Sequence, residues 1–192
     1  VGVIALIIVF QQELRRFLLL IGTSSFFNDK KAAKRLFSWT KGNEKESLLD
    51  IPAIVLACTH MSKTKTGALI VIAKSTDLGM ITSTGDEINA KISNRLIENI
   101  FFKNSPLHDG AMIIEKNVIK AARCVLPSTE NKQFPATLGL RHRAAVGITE
   151  STDAITISVS EQTGDISFAK EGKLERKISS DRLRDRLLKE LN

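Results

Sequence analysis

The sequence has few of the side chains that build metal centres, and this narrows the kinds of site it can contain. Among its 192 residues there are two cysteines and three histidines. Cys58 and Cys124 are far apart, and neither has a second cysteine or histidine at metal-ligand spacing. We interpret both as reduced thiols in the core of a cytosolic domain. A His-Asp phosphohydrolase needs more metal ligands than His60, His108 and His142 can supply.

Aromatic residues are also scarce, and their scarcity argues against a nucleic-acid-binding function. The chain has one tryptophan, no tyrosine, and no alternation of basic and aromatic residues of the kind that stacks bases. Its net charge is nevertheless +7 at pH 7. An anionic membrane face or an anionic small ligand therefore fits the sequence better than nucleic acid does.

The N-terminal apolar run is shorter than a membrane-spanning helix. "VGVIALIIVF", residues 1–10, is ten residues long, whereas a spanning helix needs about 20. No basic segment precedes it, as a signal peptide would require. The run is either a buried helix or the cytosolic end of a spanning helix. Arg15 and Arg16, which follow it, are typical of a cytoplasmic membrane flank and favour the second interpretation.

The periodicity of the sequence predicts an α/β fold, with a mixed β-sheet flanked by helices and an N-terminal helical appendage. Helices are predicted over residues 1–21, 28–39, 45–63, 94–99, 141–152 and 179–192. Strands are predicted over residues 67–73, 88–93, 153–160 and 166–170, with a hairpin over 111–125 that turns at Lys116 and Asn117. The last helix is expected to carry one apolar stripe, formed by Leu183, Leu187, Leu188 and Leu191.

The run His108-Asp109-Gly110-Ala111 places polar and flexible residues directly before an apolar strand. Asp109 in this position is a metal ligand, a general base or a turn residue, and Asp-Gly pairs are most often turns. Gly110 and Ala111 lack bulk, so their backbone can approach a ligand closely. These residues taken alone leave the alternatives open.

A second candidate, Arg141-His142-Arg143, follows Gly139 where a helix is predicted to begin. Helix N-termini favour anionic groups, so two arginines there conflict with the helix dipole. A bound phosphate removes the conflict because it accepts hydrogen bonds from backbone N–H groups and guanidinium groups together. The pattern therefore favours an anion site over a solvated basic turn.

Ser160 and Glu161 form a third candidate, at the end of the strand predicted over residues 153–160. Ligands of open α/β sheets lie at the carboxyl ends of strands. Glu161 can hold a divalent cation together with His108 or Asp109. A hairpin turn accounts for the same residues equally well.

With these segments, the sequence resembles the diadenylate cyclase family, defined by the DAC (DisA_N) domain, and within it the membrane-anchored CdaA type. "DGA" at residues 109–111 and "RHR" at residues 141–143 match the two signature motifs of that family. Their surroundings match as well, in "FFKNSPLHDGAMII", "LGLRHRAAVGITESTDAI" and "VSEQTG". The resemblance covers essentially the whole chain.

The resemblance implies a nucleotidyltransferase that condenses two ATP molecules into cyclic di-AMP, releasing two pyrophosphates and using Mg²⁺ or Mn²⁺. It implies a face-to-face homodimer in which each protomer binds one ATP. It also implies a bacterial membrane protein, with residues 1–22 as the end of a transmembrane helix, 23–65 as a helical lead-in and 66–192 as a catalytic domain in the cytoplasm. Family analogy adds an extracytoplasmic regulator and phosphoglucosamine mutase as partners.

The same resemblance assigns roles to individual residues. The catalytic set is Asp109, Gly110, Ala111, Arg141, His142 and Arg143. The nucleotide-binding set is Leu126, which would meet adenine through its backbone, together with Leu140, Arg141, Arg143, Ser160 and Glu161. The metal-binding set is His108, Asp109 and Glu161.

Two positions depart from the pattern of the family. Leu140 stands where the family usually has threonine, and Gln162 stands where it often has glutamate. The leucine removes a hydroxyl contact to the nucleotide, typically worth about 1 kcal/mol. A non-catalytic module that binds ATP or a dinucleotide as a regulatory signal is therefore the alternative function.

Overall fold

Helices and strands succeed one another along the part of the chain that the computed structural model describes, residues 49–131, 134–135 and 137–191. The helices there are α1 (Ile51–Lys63), α2 (Gly79–Thr82), α3 (Asn94–Ile100), α4 (Leu140–Ser151) and α5 (Ser180–Leu191). The strands are β1 (Ala68–Ile72), β2 (Asp86–Lys91), β3 (Ala111–Glu115), β4 (Val118–Cys124), β5 (Ile155–Val159), β6 (Ile166–Lys170) and β7 (Lys173–Glu175). The helices predicted over residues 1–21 and 28–39 lie outside the described residues.

The seven strands form one mixed sheet in the order β2-β4-β3-β1-β5-β6-β7. β1 and β3 run parallel, with Ile70 opposite Met112. Every other neighbouring pair is antiparallel. The N-terminal ends of β1, β3 and β6 therefore lie at the same edge of the sheet as the C-terminal ends of β4, β5 and β7. We call this the site edge. The predicted fold class, a mixed sheet flanked by helices, is confirmed.

The core lies on both faces of the sheet, with β1 in the middle. All five residues of β1 are buried, as expected for an apolar strand covered on two sides. Ile70 and Ile72 pack into a core shared with α1, α3 and α5. Leu69 and Val71 pack against α4 on the other face, because successive side chains of a strand alternate. The helix α1 therefore belongs to the core of the sheet. The domain boundaries at residues 22 and 65 stay predictions.

Local signals in the sequence account for where several elements begin. The Asp50 carboxylate accepts from the N–H of Ala53 at 3.0 Å and caps α1, which starts later than the predicted residue 45. The Ser93 hydroxyl accepts from Leu96 N–H and caps α3, which begins at the predicted residue 94. The β3–β4 hairpin turns at Lys116 and Asn117, which both have positive φ, so this prediction is confirmed.

Other features of the fold differ from the sequence-based expectations. Neither the short helix α2 nor the strand β7 is among the elements predicted from the sequence. Leu188 is 42% exposed and lies off the buried stripe of α5, which Leu183 and Leu187 form. Cys58 and Cys124 are buried and free, as predicted. No helix among the described residues is long and apolar enough to cross a membrane.

Candidate active site

A cavity of about 840 Å³ opens at the site edge, and it gathers all three of the candidate motifs. Its walls come from the starts of β1, β3 and β6, the ends of β4 and β5, and the first turn of α4. The sequence-predicted residues that line it are His108, Asp109, Gly110, Ala111, Leu126, Leu140, Arg141, His142, Ser160 and Glu161. Residues more than 50 positions apart in the chain therefore face one space.

Arg143 is the one predicted site residue that does not line this cavity. Its guanidinium lies over the ring of Phe134, 5.4 Å from the ring centroid. Its backbone carbonyl accepts from Thr129 N–H at 3.1 Å. In this arrangement Arg143 packs α4 against the loop after β4, and phosphate binding by Arg143 stays a prediction.

The backbone at Gly110 explains why the "DGA" motif contains a glycine. Gly110 has φ +143°, a conformation that side-chain-bearing residues rarely adopt. A Cβ atom there would lie 2.7 Å from the carbonyl carbon of Arg123 in β4. The close approach of the two backbones presents Asp109 at the rim of the cavity, where it is exposed.

The His108 ring is held in one tautomer by the backbone. Its Nδ1 lies 2.6 Å from the carbonyl oxygen of Ser105. Since a carbonyl oxygen only accepts, Nδ1 carries the proton, and Nε2 of the neutral ring keeps its lone pair. This is the arrangement in which histidines commonly bind metals.

The first turn of α4 offers free backbone donors and an ion pair. Gly139 is the N-cap residue and supplies no side-chain cap. Arg141 donates from Nη1 to the Glu161 carboxylate at 2.7 Å. Glu161 therefore offsets the conflict between an arginine and the helix dipole. This pairing is not predictable from the sequence, because Glu161 is 20 residues away on another element.

His142 lies behind this turn rather than at its surface. It is only 8% exposed, and its Nε2 is 3.3 Å from the hydroxyl of Ser167 on β6. Burial lowers the pKa of His142, and the nearby charge of Arg176 lowers it further. His142 is therefore neutral at neutral pH, and it links α4 to β6 beside the cavity.

Leu140 and Cys124 also line the cavity, with different consequences. Leu140 is 80% exposed, so no packing inside the protein explains a leucine at this position. Burial raises the pKa of the Cys124 thiol to about 11. A thiol with that pKa stays protonated at neutral pH, and Cys124 is not suited to act as a nucleophile.

Four polar residues of the cavity, namely Thr137, Asp165, Ser167 and Arg176, are not among the residues predicted from the sequence. None of them belongs to a motif, and pairing between β5, β6 and β7 brings three of them to the site edge. The alternation of "ISFAK" is the signal that could have indicated Ser167. Arg176 could have been indicated only by pairing of β7 with β6.

A divalent cation finds a partial set of ligands in one chain. Across the described ranges, no three His, Cys, Asp or Glu side chains come close enough to hold a metal by themselves. His108 offers Nε2 and Asp109 a carboxylate, whereas Glu161 is paired with Arg141. Mg²⁺ is usually bound by one or two protein carboxylates, with substrate phosphates and water completing its shell. His108 and Asp109 fit a metal that arrives with a nucleotide.

Comparison with known proteins identifies the family. Residues 55–174 match the family model DAC, described as "DisA bacterial checkpoint controller nucleotide-binding". The chain is 45% identical over 186 residues to "Cyclic di-AMP synthase CdaA" of Bacillus subtilis, and 44% identical over 190 residues to "Diadenylate cyclase" of Listeria monocytogenes. These matches cover 97% and 99% of this chain, but it spans only 65% and 66% of the lengths of those relatives.

Two solved structures share the fold and the sequence pattern. A double-cysteine mutant of DacA from Staphylococcus aureus is 43% identical, with a TM-score of 0.73 over 78% of this chain and 99% of that one. A "hypothetical membrane spanning protein" from Bacillus cereus is 33% identical, with a TM-score of 0.64 over 90% of this chain and 80% of that one. The site edge, its two motifs and the match over residues 55–174 agree, and the chain belongs to the DAC family.

Proposed function

We propose that the chain is a diadenylate cyclase, which joins two ATP molecules into cyclic di-AMP and releases two pyrophosphates. The observation that carries this proposal is the convergence of "DGA" with Arg141 and His142 of "RHR" on one cavity. Nucleotidyl transfer depends mainly on positioning and charge stabilisation. The cavity offers a carboxylate at Asp109, a guanidinium at Arg141 and the free N–H groups of α4 for these tasks.

Each of the two bonds in the product forms by the same exchange. The 3′-oxygen of one ATP attacks the α-phosphorus of the other, a new P–O bond forms, and the bond to the β-phosphate oxygen breaks. Pyrophosphate leaves with the bonding electrons, and the 3′-hydroxyl loses its proton. Asp109 is the group placed to take that proton, because its carboxylate stands at the cavity rim and no partner binds it within the described residues.

A single cavity cannot complete this reaction, and so the active form is a face-to-face homodimer. One ATP is bound by each chain, and a two-fold axis brings each 3′-hydroxyl opposite the other α-phosphate. The exposed position of Asp109 and of Leu140 at the cavity mouth supports an arrangement in which the reacting ends of the nucleotides meet outside one chain.

His108 Nε2 and the Asp109 carboxylate would hold Mg²⁺ or Mn²⁺ together with the phosphates. The cation supplies charge neutralisation for the phosphoryl oxygens. Glu161 becomes a third candidate ligand if Arg141 leaves it for the phosphates. Leu126, which lines the same cavity, would contact adenine through its backbone.

The test of this proposal is the product that the protein makes. We expect purified protein, given ATP and Mn²⁺, to produce cyclic di-AMP and pyrophosphate, identified by mass spectrometry. The competing function, a regulatory module that binds ATP or a dinucleotide without turnover, is favoured by Leu140 alone. Saturable ATP binding with no dinucleotide product would establish that alternative and refute the cyclase.

Gly67 provides a test of the Arg141–Glu161 pair within the proposed site. A Cβ at Gly67 would lie 2.7 Å from Arg141 Nη1 and 3.0 Å from Glu161 Oε2. Both atoms end flexible side chains, so Gly67→Ala should displace the pair at little cost to folding. We expect ATP affinity to fall about three- to tenfold by calorimetry, on the scale of one weakened charged hydrogen bond, while Tm changes little.

The control for Gly67→Ala adds the same methyl group elsewhere on the cavity wall. A Cβ at Gly139 would meet no atom within 4 Å. Gly139→Ala should therefore retain most of the ATP affinity. Equal losses in the two variants would mean that the pair of Arg141 and Glu161 does not position the phosphates.

The N-terminal segment and the partners belong to the same proposal. Residues 1–22 would anchor the catalytic part to the inner face of a bacterial membrane, on the strength of the apolar run and of Arg15 and Arg16. An extracytoplasmic regulator and phosphoglucosamine mutase are the proposed partners, by analogy with the CdaA type.

A further inference from the structure

Arg176 is a charged residue of the cavity that neither signature motif contains. It follows β7 directly, two residues beyond the region that matches the family model. β7 ends at the site edge because it is antiparallel to β6. Arg176 thus reaches the cavity from the edge strand β7, and not from the elements that carry the two motifs.

The orientation of Arg176 follows from its neighbour. Glu175 accepts from Arg186 Nε at 2.8 Å and from Arg182 Nε at 3.0 Å, so it faces α5. Successive side chains of an extended segment point to opposite faces. Arg176 accordingly lies on the face of α4, where its charge acts on His142.

The guanidinium of Arg176 has no anionic partner in the described part of the chain. Arg141, the other arginine of the cavity, is bound to Glu161 at 2.7 Å. The remaining carboxylates of the cavity are Asp109 and Asp165, and neither forms an ion pair with Arg176 within those residues. An unpaired, exposed guanidinium is available for bidentate hydrogen bonds to a phosphate group.

The balance of acidic and basic side chains in the cavity lining also favours a role for an unpaired arginine. Among the described lining residues, Asp109, Glu161 and Asp165 outnumber Arg141 and Arg176 by three to two. A triphosphate entering this cavity therefore depends on every available cation. Arg176 lies close enough to the first turn of α4 for its charge to act on His142, and the same turn carries Arg141 and the free N–H groups that are proposed to bind phosphate.

We infer that Arg176 binds the β- and γ-phosphates of ATP, the part that leaves as pyrophosphate. This inference rests on the proposed function, because it places a nucleoside triphosphate in the cavity. It gives Arg176 a role in selecting triphosphates over monophosphates, which share adenine, ribose and one phosphate but lack the groups that Arg176 contacts.

The experiment compares two nucleotides on two variants. Binding of AMP and of the α,β-methylene analogue of ATP, which cannot release pyrophosphate, is measured by calorimetry with Mg²⁺ present. We expect Arg176→Ala to weaken the analogue about tenfold and AMP less than twofold, and Arg176→Lys to recover part of the loss. Inorganic pyrophosphate should compete with the analogue on the wild-type protein and about tenfold less well on Arg176→Ala.

The control removes the same charge outside the cavity. Arg184 is exposed on α5, and Arg184→Ala should bind both nucleotides as the wild type does. Equal losses for the analogue and AMP, or no loss for either, would overturn the role of Arg176. If the wild type binds the analogue and Arg176→Ala weakens that binding as expected, but the wild type forms no cyclic di-AMP, the cyclase proposal is refuted and the phosphate site is retained. A wild-type protein that binds neither would overturn both.

Discussion

Asp109→Asn is expected to reduce formation of cyclic di-AMP by about 10²- to 10⁴-fold, the usual contribution of a positioned general base. Asparagine has nearly the volume of aspartate, so the turn at Gly110 and the start of β3 should keep their structure. It lacks the negative charge that accepts the proton of the 3′-hydroxyl and that would help to hold the cation. Rates are measured by chromatography of the products from ATP and Mn²⁺.

ATP binding should survive this substitution. Arg141, Arg176 and the free N–H groups of α4 remain, and removal of a carboxylate lowers the negative charge of the cavity. We expect ATP affinity within about threefold of the wild type. Asp185→Asn, on the exposed face of α5, serves as the control and should leave both rate and affinity unchanged. Comparable activity in the Asp109→Asn protein would exclude Asp109 as the base.

A mixed dimer separates the two bonds of the reaction. If each bond depends on the Asp109 of one protomer, a tethered pair of one wild-type and one Asp109→Asn chain forms only one bond. The linear dinucleotide that still carries a triphosphate should then accumulate. The tether prevents exchange of partners, which could otherwise close the ring. Cyclic product at half the wild-type rate, with no linear species, would rule out one aspartate per bond.

Much of the fold could be predicted because its signals are local. Five apolar residues in β1 predict a strand covered on both faces, and Lys116-Asn117 predicts a hairpin turn. The glycine of "DGA" is required by the close approach of the β4 backbone at Arg123, which the sequence does not indicate, whereas the predicted approach to a ligand stays a prediction. β7 was missed because it has three residues, two of them charged, and depends on pairing with β6 for its existence.

Only part of the candidate site could be predicted from the sequence. The motifs identified His108, Asp109 and Arg141, but motifs record chain neighbours and not contacts across the sheet. The partner of Arg141, the location of Arg143 over Phe134 and the presence of Arg176 in the cavity all follow from the order of the strands. Leu140 is exposed in the structure, which explains how a family threonine can be replaced without disturbing the packing of α4.

Gly147 in α4 also depends on contacts across the fold. We expect Gly147→Ala to destabilise the protein, although helix propensity alone predicts that it stabilises. In a helix without neighbours, Gly→Ala stabilises by about 1 kcal/mol. A Cβ at Gly147 would instead lie against the carbonyl oxygen of Pro127 and 2.6 Å from the nitrogen of Thr129. These are backbone atoms, and they cannot turn aside as the end of a side chain can.

The segment that meets Gly147 is held to α4 at both sides of the contact. Thr129 N–H donates to the carbonyl of Arg143 at 3.1 Å, and the Thr129 hydroxyl donates to Glu150 at 2.6 Å. Relief of the clash therefore requires a shift of α4 or loss of these bonds. We expect Gly147→Ala to lower the free energy of unfolding by about 1–3 kcal/mol, the usual cost of overpacking.

The same shift should weaken nucleotide binding, because Leu126 immediately precedes this segment and lines the cavity. The free energy of unfolding is measured by urea denaturation, and ATP affinity by calorimetry. Ser151→Ala, at the exposed end of α4, is the matched helix variant and should stabilise slightly or have no effect, since alanine is the better helix former. If Gly147→Ala proved more stable than the wild type, propensity would outweigh the contact, and the loop that carries Leu126 would have to yield to α4 at little cost. Loss of stability together with weaker ATP binding would instead establish that close packing of α4 on this loop holds the adenine end of the site in place.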